Sequence, residues 1–383
     1  MIGSTLLAGA GLASTAYGAS LVASTFSGPL YSLTFNNNQL ANAGQSSGCG
    51  TTPGWLEYYA DSKELYCFDE SWSGKGVMTK YSVGTNAKLS QSATASTSGN
   101  DVHGQLYGGA NNRSFIASAQ YSPSTITTYK LPLSGSAQQI QKETFSMSGK
   151  GPNSRQDKPH PHEVALDPTK NFIVVPDLGA DVIRVFRIDH STGKLTSCST
   201  AQHEKGAGPR HIKFWKSDAG VQVAYTVNEL GNSVSAWSVA YSNNCLNLAR
   251  TQTLTSIPPG KRAGTGTKAA EVRLFGNFLY AANRADGGFS STQDSIAIYT
   301  INPTSGALTW LDAGNSYSHY PRTFEINKDG TLVAIGGQTS SNVAIVERDV
   351  ATGKLGKLVS TIQLGSKGRA GEEDGLSAVV WID

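Results

Sequence analysis

The stretch PHPHEVALDPTKNFIVVPDLGADVIRVFRID, residues 159–189, does most to limit what this chain folds into. It divides into HEVALDP, a TKN turn, FIVVPDL, a GAD turn and VIRVFRID. Apolar runs this short, rich in Val, Ile and Phe and cut by Gly, Asn, Asp and Pro, suit antiparallel strands joined by tight turns. Too little chain lies between the breakers for helices.

The unit recurs. Pro209-Arg210-His211-Ile212 repeats Pro161-His162-Glu163-Val164 at a distance of 48 residues. First segments of this kind fall near residues 56, 104, 162, 210, 271, 322 and 376. Second segments follow as ELYCFDE, RSFIASAQ, NFIVVPDL, QVAYTVNEL, NFLYAANR and LVAIGGQ, and third segments as STITTYKL, DVIRVFRI, NSVSAWSV, DSIAIYTI and NVAIVERD. Turns such as Ser191-Thr192-Gly193, Thr304-Ser305-Gly306 and Ala351-Thr352-Gly353 lead to a fourth. Four strands in roughly 50 residues is the arithmetic of a β-propeller blade. The expectation is an all-β, seven-bladed propeller of four-stranded antiparallel blades. A β-sandwich and a parallel β-helix are minor alternatives. Little chain follows the last first segment, and PLYSLTFNN (29–37) is an orphan strand pattern. N-terminal strands are therefore expected to join the C-terminal inner strand, closing the ring and removing an edge.

Residues 1–18 read as a secretory signal peptide, an apolar run ending in Ala16-Tyr17-Gly18 but without a charged n-region, leaving residues 19–383 as one propeller. A buried first strand in a cytoplasmic protein is the alternative. No other segment nears the ~20 apolar residues of a membrane span. Net charge is +3 with no long charged run, which argues against a nucleic-acid partner. Four cysteines, Cys49, Cys67, Cys198 and Cys245, are an even number outside any metal-ligand spacing. The even count favours an oxidising compartment, and pairing by proximity in the chain gives Cys49–Cys67 and Cys198–Cys245; four reduced, buried cysteines in a cytosolic protein are the alternative. Asn112-Arg113-Ser114 is a glycosylation sequon. The oligomeric state is left open.

Inner strands of a propeller line a central channel, so polar residues at repeated inner-strand positions converge. His162 and Arg210 begin successive inner strands, Glu229 follows a second strand in TVNEL, and Arg284 holds the matching place in AANRADG. Arginines grip carboxylates and stabilise oxyanions; His162 and Glu229 are the natural proton carriers. This kit suits a small carboxylated substrate. Each residue also has a structural reading, as an inter-blade hydrogen bond or salt bridge. Secondary candidates are His103, His160, His211, Glu271, Arg322 and Gln338. The run Glu372-Glu373-Asp374 reads as a solvated loop.

The stretches HPHEVALDP, VPDLGADVIRVFRID, GAGPRHIKF, YTVNELGNSV, YAANRADG and HYPRTFEIN resemble the seven-bladed lactonase propellers. That family includes bacterial 6-phosphogluconolactonase and the fungal 3-carboxy-cis,cis-muconate lactonising enzyme (carboxymuconate cyclase). The resemblance is strong over residues 158–350, and secreted fungal cyclase-like members share the apolar leader. It implies that His162, Arg210, Glu229 and Arg284 are the active-site positions. It also implies either cyclisation of an unsaturated polycarboxylate or hydrolysis of a lactone, with no metal or cofactor. A secreted propeller glycoprotein that only binds is the alternative.

Overall fold

A computed structural model describes residues 18–135 and 138–382, so the expected signal peptide lies, but for Gly18, outside the described residues. Seven four-stranded antiparallel sheets form the ring. We number blades 1 to 7 by their inner strands: Pro53–Tyr59, Asp101–Tyr107, Ala165–Leu166, Pro209–Lys216, Lys268–Phe275, Pro321–Ile326 and Leu376–Trp381. Each matches an expected first segment. Blade 7 takes its other three strands from the N-terminal side, in the order Leu376–Trp381, Ala19–Thr25, Leu30–Asn36, Gln39–Ser46. Val22 pairs with Val380 and Ala23 with Val379, which closes the ring.

The core lies between blades. The second strands are buried along nearly their whole length, as in Phe172–Asp177, because both faces are covered by neighbouring sheets. Outermost strands such as Gln39–Ser46 are largely exposed and correspondingly polar. Between blades 4 and 5, Val223, Tyr225, Val227 and Val234 pack on Leu279, Ala281, Ala297 and Tyr299. Glycine turns fasten blades 3, 5 and 6 to the blade before. Tyr225 Oη donates to Gly306 O at 2.7 Å and Tyr280 Oη to Gly353 O at 2.7 Å. Both glycines have φ near +70°, and a Cβ there would meet Val223 or Phe278 at 2.3 Å. Only glycine suits both demands.

Both proximity-paired disulfides form. Cys49–Cys67 ties the entry of blade 1 to its second strand, and Cys198–Cys245 joins the outer strands of blades 3 and 4. Asn112 lies at positive φ in the turn after the inner strand of blade 2. Among the described residues no helix is long and apolar enough to cross a membrane.

One local expectation needs correcting. His162 does not begin a regular strand: the inner strand of blade 3 is only Ala165–Leu166. Pro159, Pro161 and Pro176 withhold ladder donors here. His162 is held by an isolated Pro161–Asp177 bridge and by its own N–H to Pro176 O at 2.9 Å.

Candidate active site

Two positions that recur among the blades build the mouth of the channel. The first is a bulge. Register shifts between Pro53 and Trp55, Asp101 and His103, Pro209 and His211, Ala269 and Val272, and Pro321 and Thr323 mark the start of five inner strands. An extra residue at a bulge is re-aimed out of the alternating pattern; here that residue is Arg210 in blade 4 and Arg322 in blade 6. His162 takes the same place in the interrupted strand of blade 3. The second position directly follows the second strand: Glu70 in blade 1, Tyr121 in blade 2, Glu229 in blade 4 and Gln338 in blade 6. In blade 5 the last residue of that strand, Arg284, serves instead.

These side chains enclose a cavity of about 180 Å³ whose wall includes His162, Glu229, Arg284, Arg322, Gln338 and Glu70. Tyr121, Arg155, Lys268, Tyr320 and the exposed Trp72 and Glu373 complete it. Glu229 is the centre of charge. Arg284 Nη2 stands 3.0 Å and Arg210 Nε 3.1 Å from its Oε2, while Arg155 Nη1 donates to its Oε1. The Arg210 contact is out of line for a hydrogen bond, so it is an ion pair only. Arg210 sits behind Glu229, anchored by Nη1 to Ala270 O at 2.9 Å. Arg155 also donates to Tyr121 Oη at 2.8 Å.

The electrostatics sort the ionisable groups. Burial would raise the Glu229 carboxyl, but Arg155, Arg284 and Arg210 together hold it well below the usual carboxylate range. It is a permanent anion. Burial, then Arg210 and His211, push His162 well below the usual imidazole range, so its ring is neutral. Glu70 goes the other way. Burial raises its carboxyl and only Arg322, donating to its Oε2 at 2.8 Å, opposes strongly; Glu373 and Glu229 raise it further. Three sealed polar atoms in this wall lack partners among the described residues: Arg284 Nε, His162 Nδ1 and Gln338 Oε1. Buried groups of this kind cost free energy unless a ligand or water satisfies them.

The four primary residues thus come together, three on the cavity wall and Arg210 behind it. Of the secondary set, Arg322 and Gln338 share the cavity. His211 and Glu271 lie deeper and fully buried, bonded at 3.2 Å. His211 and His103 close the channel with Trp55, at ring separations of 4.3 to 5.6 Å. His103 lines a separate cavity of about 590 Å³ at the opposite mouth, with Glu57, Glu163, Lys213 and Arg273. His160 stacks beneath Tyr121 at 4.1 Å and bonds Asp157 at 2.9 Å, outside both cavities. Sequence reasoning missed Glu70, Tyr121 and Arg155. The segment ELYCFDE ends in Glu70 at the place Glu229 holds, so blade alignment marks it; Arg155 lies in a loop outside the repeat and carries no such signal. Glu373, read as part of a solvated loop, is exposed yet reaches the cavity rim.

The chain is similar to known proteins over most of its length. A protein of Arthroderma benhamiae named "Probable 6-phosphogluconolactonase" is 32% identical over 306 residues, covering 80% of this chain and 76% of the relative. The 6-phosphogluconolactonase of Bacillus subtilis (strain 168) is 32% identical over 251 residues, covering 65% and 67%. The structure of a periplasmic gluconolactonase from Pseudomonas aeruginosa superposes with a TM-score of 0.79 over 96% of this chain and 99% of that one. At 22% identity that likeness establishes the fold alone. The model of the family described as "Lactonase, 7-bladed beta-propeller" matches residues 18–370, and the chain belongs to that family.

Proposed function

We propose that the protein hydrolyses a lactone at the Glu229 mouth of the channel, with a sugar-type lactone as substrate, as the names of its relatives suggest. The observation that carries this reading is the cavity on whose wall the Arg284 guanidinium and the neutral His162 ring stand beside a locked anion, Glu229. A lactone carbonyl placed against the Arg284 guanidinium meets a cationic donor, and its oxygen gains charge when water attacks. Fixed donors aimed at developing charge are worth about 10²–10³ in rate each. Glu229 then serves as the fixed counter-charge that orders Arg155, Arg210 and Arg284. Gln338, on the same wall, suits a ring hydroxyl.

The cyclisation expected from the muconate resemblance makes the same bond that hydrolysis breaks. The relatives named above are called for hydrolysis, and that direction is the one adopted. The two disulfides fit an oxidising compartment and so a secreted protein. The reading is tested by NMR on purified protein with gluconolactone, 6-phosphogluconolactone, 3-carboxymuconate and simple aliphatic lactones. Ring opening of the hydroxylated lactones supports it. An intact fold with no turnover on any of them favours a propeller that only binds.

A further inference from the structure

Neither proton carrier expected from the sequence is well suited to its task. Glu229 is held as an anion by three guanidinium groups, and its basicity is spent on them. His162 resists protonation because it is buried beside Arg210 and Arg322. Lactone hydrolysis nevertheless needs a group that accepts a proton from water and later gives one to the leaving ring oxygen.

Glu70 occupies in blade 1 the place of Glu229 in blade 4, and its carboxyl lies in the wall of the same cavity. The residue is 3% exposed. Its Oε2 is fixed by Arg322, whereas Oε1 makes no hydrogen bond or ion pair among the described residues and is left to the cavity. Its backbone is pinned by Glu70 N to Thr52 O at 2.8 Å and Asn100 Nδ2 to Glu70 O at 3.3 Å. The carboxyl is therefore positioned, half-satisfied and facing the substrate space.

Resting on the lactonase reading, we propose that Glu70 moves the proton of the reaction. Its carboxylate takes a proton from water as the water oxygen bonds to the carbonyl carbon, and the carbonyl π pair moves to an oxyanion held by Arg284. Collapse re-forms the carbonyl and breaks the ring C–O bond, whose oxygen takes the proton back from Glu70. Lactone and water become a hydroxy acid, which ionises to solvent. The raised affinity of Glu70 for a proton places it nearer the working pH than either neighbour. The charges bearing on it are Arg322 from blade 6, Glu373 from the loop before blade 7, and Arg210 and Glu229 from blade 4. His162, Arg155 and Arg284 share the cavity.

The test is the pH profile of kcat/KM for gluconolactone hydrolysis, corrected for the spontaneous rate, in the wild type, Glu70→Gln and Glu70→Ala. The wild type should lose activity as pH falls through a limb above the ordinary glutamate value of 4.5. Glu70→Gln should retain its melting temperature, fall about 10²- to 10³-fold at neutral pH and lose that limb. Added formate, which replaces the missing carboxylate, should restore part of the Glu70→Ala loss. A Glu70→Gln rate within threefold of wild type, an unchanged limb, or no formate rescue in a folded Glu70→Ala would overturn the assignment while leaving the lactonase reading intact. A wild-type limb at or below 4.5 would overturn it without any variant. No turnover by the wild type on gluconolactone or on any other lactone of the panel would end both.

Discussion

Glu70 and Glu229 sit at equivalent places three blades apart, each following the second strand of its blade and each almost wholly buried. Their chemistry is opposite. Glu229 meets three arginines from two blades and a loop, and its charge is fixed. Glu70 meets one, across the ring from blade 6, and burial dominates. The backbone repeat sets where a carboxylate stands; the number of guanidinium groups around it sets whether it holds charge or trades protons. A ring of seven similar blades thereby makes an unlike pair.

The largest expected effect comes from breaking the fixed partner. Glu229→Gln leaves Arg155, Arg210 and Arg284 facing one another without their counter-charge. It should cost about 3–5 kcal/mol of stability, as breaking a buried pair does, and lower kcat/KM at least about a thousandfold if one displaced donor alone costs 10²–10³. Denaturant melts and the lactone assay read both. The sign with pH is set by the depressed carboxyl: its stabilisation is present above the unfolded value of 4.5 and is lost only as pH falls through its lower folded value. Arg284→Ala should fall about 10²-fold in kcat if it holds the oxyanion. It should remain folded, since a residue at the channel mouth packs little core. Matching losses of stability and activity would make Arg284 structural instead.

Glu57, in the opposite cavity, is the control for burial without the site. Its carboxyl is raised by burial to about 7, against Lys213 and Arg273. The folded protein therefore binds its proton more tightly than the unfolded chain, and stability falls as pH rises from 4.5 to about 7. Glu57→Gln should add on the order of 2 kcal/mol at pH 8, reduced from the full shift because the side chain is half-buried, and nothing near pH 4. Lactone turnover should not change. The smallest effect sharpens the pair itself. Arg322→Gln removes the cation bound to Glu70, so the acid limb of activity should move about one pH unit upward; a downward move would contradict the pairing.

The blades were legible in the sequence because a four-strand unit with turns at fixed places survives degeneration. So was ring closure, from one orphan strand pattern at the start and one unaccompanied strand at the end. The convergence of His162, Arg210, Glu229 and Arg284 was legible because they stand at repeated positions, and that of Glu70 would have been had ELYCFDE been aligned on TVNEL. Depth in the channel was not legible. Arg210 and His211 are neighbours in sequence, yet the bulge sends the first behind Glu229 and the second into the plug with Trp55. Arg155 was invisible for another reason: its loop belongs to no blade, and only the folded ring brings it to Glu229.

The most direct test of the unlike pair is a ¹³C NMR titration of glutamate side-chain carboxyls, with Glu70→Gln and Glu229→Gln used to assign the two resonances. The account requires the Glu70 carboxyl to titrate above 4.5 and the Glu229 carboxyl to stay ionised throughout the range in which the protein is folded. Two carboxyls titrating together in the ordinary range, or Glu70 below Glu229, would contradict it.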